Sequence, residues 1–324
     1  MLSRVRTHLR VGTIQPCRSL YSTIKTIPFD TQPFPFDRFE PCCPAEDTAP
    51  SSNGFVPCKK HPIPAVLGRK IDMTESMTGR LETERHVVMC VGPHGKEWER
   101  SKVEAVVDGP VYASNQLHSQ YLRSPAHRNS DAPPTDKDFL MTVCDRPPQD
   151  SPATTTASCD VMVFPEFVFY PQVDPSRLAE SNVAQVLETL WKNPSSSTLP
   201  YVPNQTAIKD EEGHEVDAVV LVCTHERRDM RCGKIGPLIV DAFKNSLEHR
   251  LQNSNKKVLV YGTSHFGGHK FAGNVIIHQK GLGGHMYGNV RDCMVDNLVD
   301  RHILNGKIIK ELWRGLVTPP SLKC

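Results

Sequence analysis

Cys223-Thr-His-Glu-Arg-Arg-Asp-Met-Arg-Cys232 and His265-Phe-Gly-Gly-His269 are the two stretches on which the reading of this chain turns. Apolar runs of strand length precede both of them, Val219-Val-Leu-Val-Cys223 before the first and Val258-Leu-Val-Tyr261 before the second. Between them, residues 233–251 place Ile235, Leu238, Ile239, Phe243 and Leu247 at helical spacing. Two ligand-type pairs therefore arrive at the ends of neighbouring strands, the thiols on either side of a loop and the imidazoles in a loop made permissive by Gly267 and Gly268. Cys232 falls just before the helix, where a helix N-terminus favours a thiolate.

Outward from this core, residues 274–278 and 285–290 read as short strands around the Gly281-Leu-Gly-Gly284 turn. Residues 292–304 form a second helix with Val295, Leu298, Val299 and Ile303 on one face. The order β-α-β-β-β-α is that of a thioredoxin-like α/β domain, which we place at residues 206–324 after a polar, proline-bearing linker. Upstream, His86-Val-Val-Met-Cys-Val-Gly92 reads as a strand followed by a turn and a helix. Residues 160–170 look like a strand interrupted by Pro165, and residues 175–192 carry Leu178, Val183, Val186, Leu187 and Leu190 at helical spacing. Residues 129–158, loaded with Pro, Asp, Ser and Thr, read as a surface loop, and no internal repeat is evident. This divergent N-terminal α/β region spans residues 22–205, and its first part, 22–60, reads as an extended arm, with ordered structure expected from near Leu67.

Residues 1–29 contain no acid but carry Arg4, Arg6, Arg10, Arg18 and Lys25 among several Ser and Thr, the composition of an organelle transit peptide. We take 1–21 as a mitochondrial presequence and expect a matrix location. Its removal takes four arginines and no acid, leaving 34 basic against 36 acidic residues. The basic character then belongs to the address, so a nucleic-acid surface is not expected. No run approaches the roughly 18 apolar residues that span a bilayer, so no membrane span is expected. Eleven cysteines, an odd number scattered without repeated spacing, do not make a disulfide framework in a reducing compartment. Cys42, Cys43 and Cys58 read as free thiols, with a redox or metal-binding role as the alternative; Cys293 opens a helix and is expected to pack in the core, and the terminal Cys324 is expected at the surface.

Soft thiolates with imidazoles suit zinc or iron–sulfur chemistry, not magnesium or calcium. Cys2His2 is a standard zinc set, although eight residues between the cysteines is long for a zinc knuckle. A metal-free thiol oxidoreductase using Cys223 or Cys232 is the third reading, weakened by the absence of C-x-x-C. Arg227, Arg228 and Arg231 add positive charge to the ligand loop, either as a field at the centre or as solvated side chains. His225 and His285 read as loop or strand-edge histidines, with a supporting role beside the ligands as the alternative. Trp313 is expected to anchor the C-terminal tail. No serine–histidine–acid order and no Gly-rich phosphate loop is present, so no catalytic residues are assigned.

The C-x8-C spacing with H-x-G-G-H, followed by Ala272-Gly-Asn274 and Met286-Tyr-Gly288, resembles the sucrase/ferredoxin-like proteins, which contain thioredoxin-like ferredoxins. These motifs cover about residues 217–290, and Gly95-Lys-Glu-Trp98 extends a weaker likeness upstream. The resemblance implies a [2Fe–2S] cluster with Cys223 and Cys232 on one iron and His265 and His269 on the other. Related four-cysteine ferredoxins carry C-x3-C where this chain has H-x3-H. By this resemblance the protein is an electron carrier or redox sensor in mitochondrial thiol or iron–sulfur homeostasis. Its partners would be other redox proteins and the iron–sulfur assembly machinery. The "sucrase" half of the family label finds no support in the residues.

Overall fold

The computed structural model describes residues 71–72, 83–124, 139–149, 158–193, 199–309 and 312–318. The presequence, the 22–60 arm, Leu67 and the thiols Cys42, Cys43, Cys58 and Cys324 lie outside the described residues.

Among the described residues, ten strands form one hydrogen-bonded sheet in the order β10-β9-β8-β6-β7-β2-β1-β3-β4-β5. The first half begins with β1 (Arg85–Cys90), helix α1 (Pro110–Arg123) and β2 (Phe139–Cys144), which lies parallel to β1. Then β3 (Cys159–Phe164) runs antiparallel to β1, β4 (Val168–Val173) antiparallel to β3, and helix α2 (Asn182–Lys192) follows. The two-residue β5 (Thr206–Ala207) pairs with β4.

The second half repeats this plan. Strand β6 (Ala218–Cys223) leads through helix α3 (Met230–Arg250) to the parallel strand β7 (Val258–Thr263). Strand β8 (Val275–Gln279) is antiparallel to β6, and β9 (Gly283–Tyr287) is antiparallel to β8. Helix α4 starts as Val295–Leu298 and continues as a π-turn over Val299–Leu304. A last strand, β10 (Trp313–Thr318), closes the edge against β9. The expected β-α-β-β-β-α order is therefore present, in the thioredoxin-like α/β arrangement β7-β6-β8-β9.

The equivalent order in the first half is β2-β1-β3-β4, so the chain holds the same topology twice, although its sequence shows no repeat. Topology is carried by apolar patterning and turns, and two halves can keep both while sharing few identities. The equivalent strands β2 and β7 meet antiparallel at one residue pair, Cys144 with Thr263, which places an approximate two-fold relation there.

From that join the halves fold back on each other. Val87, Met89, Val143, Val161 and Val163 pack under α1 and α2 in one core, while Val88, Cys90, Cys144, Met162 and Phe164 face the second half. This alternation is the period-two reading of a strand buried on both faces. Phe164 stacks on His278 with ring centroids 4.0 Å apart, and His86 Nδ1 meets His278 Nε2 at 2.9 Å. Helix α3 packs on β6 and β7, and α4 packs against α3, so helices cover both halves of the sheet in an α/β layering.

Four sequence expectations change. Residues 129–158 are not all loop, because Phe139-Leu-Met-Thr-Val-Cys144 is an interior strand whose short apolar run is hidden between polar, proline-bearing flanks. Residues 160–170 are two strands, not one, with the chain reversing at the cis Phe164–Pro165 peptide. Leu238, expected in the apolar stripe of α3, is half exposed, while Ile235, Ile239, Phe243 and Leu247 are buried. Helix α3 also starts earlier than expected, at Met230, which puts Cys232 inside its first turn.

Candidate metal centre

Cys223 ends β6, and Cys232 rises from the first turn of α3 directly after it. The connection is short because Asp229 caps the helix: its carboxylate accepts from the Arg231 backbone N–H at 2.9 Å. The same carboxylate takes the Arg231 guanidinium through Nε and a terminal nitrogen, both at 2.9 Å. Such a planar fork is the favourable geometry for an arginine–carboxylate pair. Burial pushes the Asp229 carboxyl up, but the bonds and charge of Arg231 outweigh this and hold it down, to about 2. Arg231 thus belongs to the cap and is itself buried, whereas Arg227 and Arg228 are exposed.

His265 follows β7 by two residues, and His269 opens a 3-10 turn, His269–Phe271. Gly267 and Gly268 carry φ of 97° and 72°, a left-handed backbone that lets the loop reverse between the two imidazoles. A side chain at Gly268 would also strike the Arg314 guanidinium, with a Cβ 2.0 Å from one of its nitrogens. Arg314 comes from β10 and bonds Asn274 Oδ1, while Asn274 Nδ2 donates to the Gly268 carbonyl at 3.0 Å. Asn274 and Arg314 therefore brace the histidine loop from below. Sequence reasoning did not single out Arg314, since only the sheet brings residue 314 to residue 268.

The four expected residues converge. Ligand atoms of Cys223, Cys232 and His265 all lie within 4.8 Å of one another. Cys223 Sγ is 3.9 Å from His265 Nδ1. His269 stands one step out, its Nδ1 3.5 Å from His265 Nε2, with the two rings 5.3 Å apart. Both thiols are buried and both imidazoles half-buried, so the sulfur side faces the core and the nitrogen side faces solvent. A bond from Cys232 holds the Cys223 thiol down, to about 6, against burial, with His265 and the His225 backbone N–H helping. That same bond and burial push Cys232 up. One thiolate and one thiol sharing a proton beside two imidazoles is a donor set that an incoming cation would deprotonate fully.

The histidines set aside as loop or edge residues separate. His285 lies in β9, where it accepts from Trp313 Nε1 at 3.1 Å, away from the centre. Trp313 is accordingly buried in an edge strand. His225 sits inside the centre's surround: Nε2 bonds the Arg100 carbonyl at 2.7 Å, and Nδ1 faces the His265 backbone N–H at 3.4 Å. Burial pushes its pKa down. The first half has no equivalent centre among the described residues. Cys90 matches Cys223 in topology, but Arg146 stands where His265 would, lying over the Phe169 ring at 4.7 Å.

Comparison with known proteins adds sequence relatives. Proteins named "Altered inheritance of mitochondria protein 32" match parts of this chain in several yeasts. The Debaryomyces hansenii protein is 40% identical over 127 residues, covering 39% of this chain and 45% of its own. The Clavispora lusitaniae protein is 41% identical over 97 residues, 30% of this chain and 34% of that one. The chain thus matches less than half the length of these relatives. Among solved structures, a thioredoxin-like [2Fe–2S] ferredoxin from Aquifex aeolicus aligns at 19% identity over 33% of this chain and 98% of its own, with a TM-score of 0.27. A family model described as sucrase/ferredoxin-like matches residues 78–315, spanning both halves and the whole of the Cys–His site, and the chain belongs to that family.

Proposed function

We propose that this protein is a mitochondrial redox protein holding a [2Fe–2S] cluster on Cys223, Cys232, His265 and His269. The observation that carries the reading is the convergence of two thiols and an imidazole to within 4.8 Å, with a second imidazole alongside. Thiolate and neutral imidazole together fit an iron–sulfur centre, and when bound the cluster supplies one-electron transfer. The protein's own residues do the rest. Cys223 offers a thiolate at neutral pH, the N-terminus of α3 favours negative charge near Cys232, and the buried β-sheet keeps water from the sulfurs. His265 and His269 present their rings toward solvent, so proton exchange with water is open to them.

The names of the yeast relatives and the acid-free, arginine-rich residues 1–29 support a mitochondrial location, and we infer the matrix. Electron exchange would then be with other redox proteins, and loading would depend on the iron–sulfur assembly machinery.

The tight spacing of Cys223, Cys232 and His265 also suits a single zinc ion completed by His269, which would make the site a structural clamp. The deciding experiment is visible and EPR spectroscopy of anaerobically purified protein, with iron, zinc and acid-labile sulfide measured on the same sample. Two irons and two sulfides per chain with a Rieske-like reduced signal are expected. A colourless protein with one zinc overturns the redox reading.

A further inference from the structure

We propose that His225 is a positioning residue that locks the candidate metal centre to the first half of the molecule and thereby sets the centre's redox properties. The proposal rests on the [2Fe–2S] reading for its redox consequence, but not for the geometry. His225 is 1% exposed and uses both ring nitrogens in opposite senses. Nε2 donates to the Arg100 carbonyl in the first half, at 2.7 Å, and Nδ1 accepts from the His265 backbone N–H, at 3.4 Å. That assignment fixes one neutral tautomer. The backbone N–H of His225 bonds the Cys223 thiolate. One residue therefore touches the thiolate side and the imidazole side of the set at once.

The other end of this link is built from the first half. Trp98 places its ring edge-on to His225, with centroids 5.9 Å apart and planes at 89°, and is itself held by donation from Nε1 to the Gly92 carbonyl at 2.8 Å. Residues 95–105, which follow β1 in the first half, thus bear on His265 through the His225 imidazole. Beside this contact lies a cavity of about 340 Å³, with Lys102 and Glu104 on one wall and His225, Arg228 and His265 on the other. Groups that orient a metal ligand and hydrogen-bond near it tune metal affinity or activity by about tenfold to a hundredfold, and the surround of a site also tunes its potential. An imidazole that fixes the ligand loop is such a group.

The substitutions His225→Asn and His225→Gln divide the two bonds. Asn places its carbonyl oxygen near the Nδ1 position and keeps an acceptor for the His265 N–H. Gln reaches toward Arg100 with a donor but leaves the His265 N–H without that acceptor. Trp98→Leu weakens the link from the far side without touching the ligand loop.

The measurement is the one-electron equilibrium with a reference dye, read together with the reduced EPR spectrum, on loaded protein. A threefold or greater change in that equilibrium is expected for His225→Gln, with an altered EPR signal. A smaller change in the same direction is expected for Trp98→Leu and for His225→Asn, which keeps the acceptor for the His265 N–H but loses the bond to Arg100. A merely structural histidine would lower the unfolding midpoint in these variants and leave potential and spectrum alone. That result in both His225→Gln and Trp98→Leu overturns the proposal. Wild-type protein that holds zinc without iron or sulfide defeats the electron-transfer reading instead. In that case the visible spectrum of cobalt-substituted protein tests the positioning. His225→Gln must change it and His225→Asn must change it less, and an unchanged spectrum overturns the positioning too.

Discussion

Asp229 shows how one residue can serve both helix and centre. It supplies the α3 N-cap three positions before Cys232 and pairs with the buried Arg231, one position before it. Asp229→Ala removes the cap and the carboxylate partner of Arg231 together, and should cost about 2–4 kcal/mol. Asp229→Asn keeps a capping oxygen and should cost less, a difference that urea unfolding midpoints will read. The carboxyl is held low in the folded state, to about 2, whereas in the unfolded chain it titrates near 4. A depressed carboxyl stabilises above its unfolded pKa, so this contribution, roughly 1–2 kcal/mol after screening, is full at neutral pH and fades as pH falls from about 4 to 2. At the ligands, replacing imidazole by thiolate adds negative charge. His265→Cys or His269→Cys should keep a cluster, lower its potential and shift its spectrum. An unchanged spectrum in both would remove the histidines from the ligand set. Cys223→Ser should lose most of the cluster, which iron and sulfide assays will show.

Helix α3 is shaped by small residues that its sequence displays but does not explain. Gly236 lies against the end of β6, where an added Cβ would stand 2.3 Å from the Cys223 carbonyl oxygen and 2.9 Å from Thr224 Cγ2. The obstacle is strand backbone, which cannot swing aside as a side chain can. Gly236→Ala should therefore push α3 off β6, destabilise the fold by about 1–3 kcal/mol and displace Cys232 relative to Cys223. The checks are the thermal midpoint and the metal content, and both should fall together. Pro237, the next residue, withholds the N–H that would reach the Gly233 carbonyl, so the helix tolerates a break in its ladder near the site. Other elements were legible to different degrees. Strand β6, with five apolar residues and a cysteine, and helix α2, with its buried Val183, Val186, Leu187 and Leu190, follow directly from period and length. Strand β2 did not, because six residues between proline-bearing segments carry too little pattern to outweigh their flanks.

Across the whole molecule, the two halves bury polar groups where their sheets meet and where α4 covers the second. Burial pushes His278 and His302 well below the ordinary histidine range, and takes His285 down to about 4. His225 is lowered for the same reason. For a base with a depressed folded pKa, the unfolded chain binds the proton first. Stability is therefore unaffected above about pH 6.5 and falls below it, by up to about 1.4 kcal/mol per pH unit for each such histidine. The thermal midpoint should drop steeply between pH 6.5 and 5, well before the carboxylates titrate. A flat profile over that range would show that these imidazoles are solvated in the native state. The doubled topology gives the centre its asymmetry as well. Only the second half carries the two imidazoles, while Arg146 fills the matching place in the first by packing on Phe169 and bonding the Lys209 carbonyl at 3.1 Å.

The sequence by itself determined the thioredoxin-like order of the second half and singled out the four candidate donor residues, because strand runs, helix spacing and two cysteine and histidine pairs are local patterns. Their gathering into one site, the brace from Arg314, the link from Arg100 through His225 and the doubling of the fold were decided by tertiary structure alone. These are contacts between residues far apart in the chain, and they depend on which strands pair and which faces meet. No local period encodes that, since it is settled when two apolar sheets find each other and exclude water.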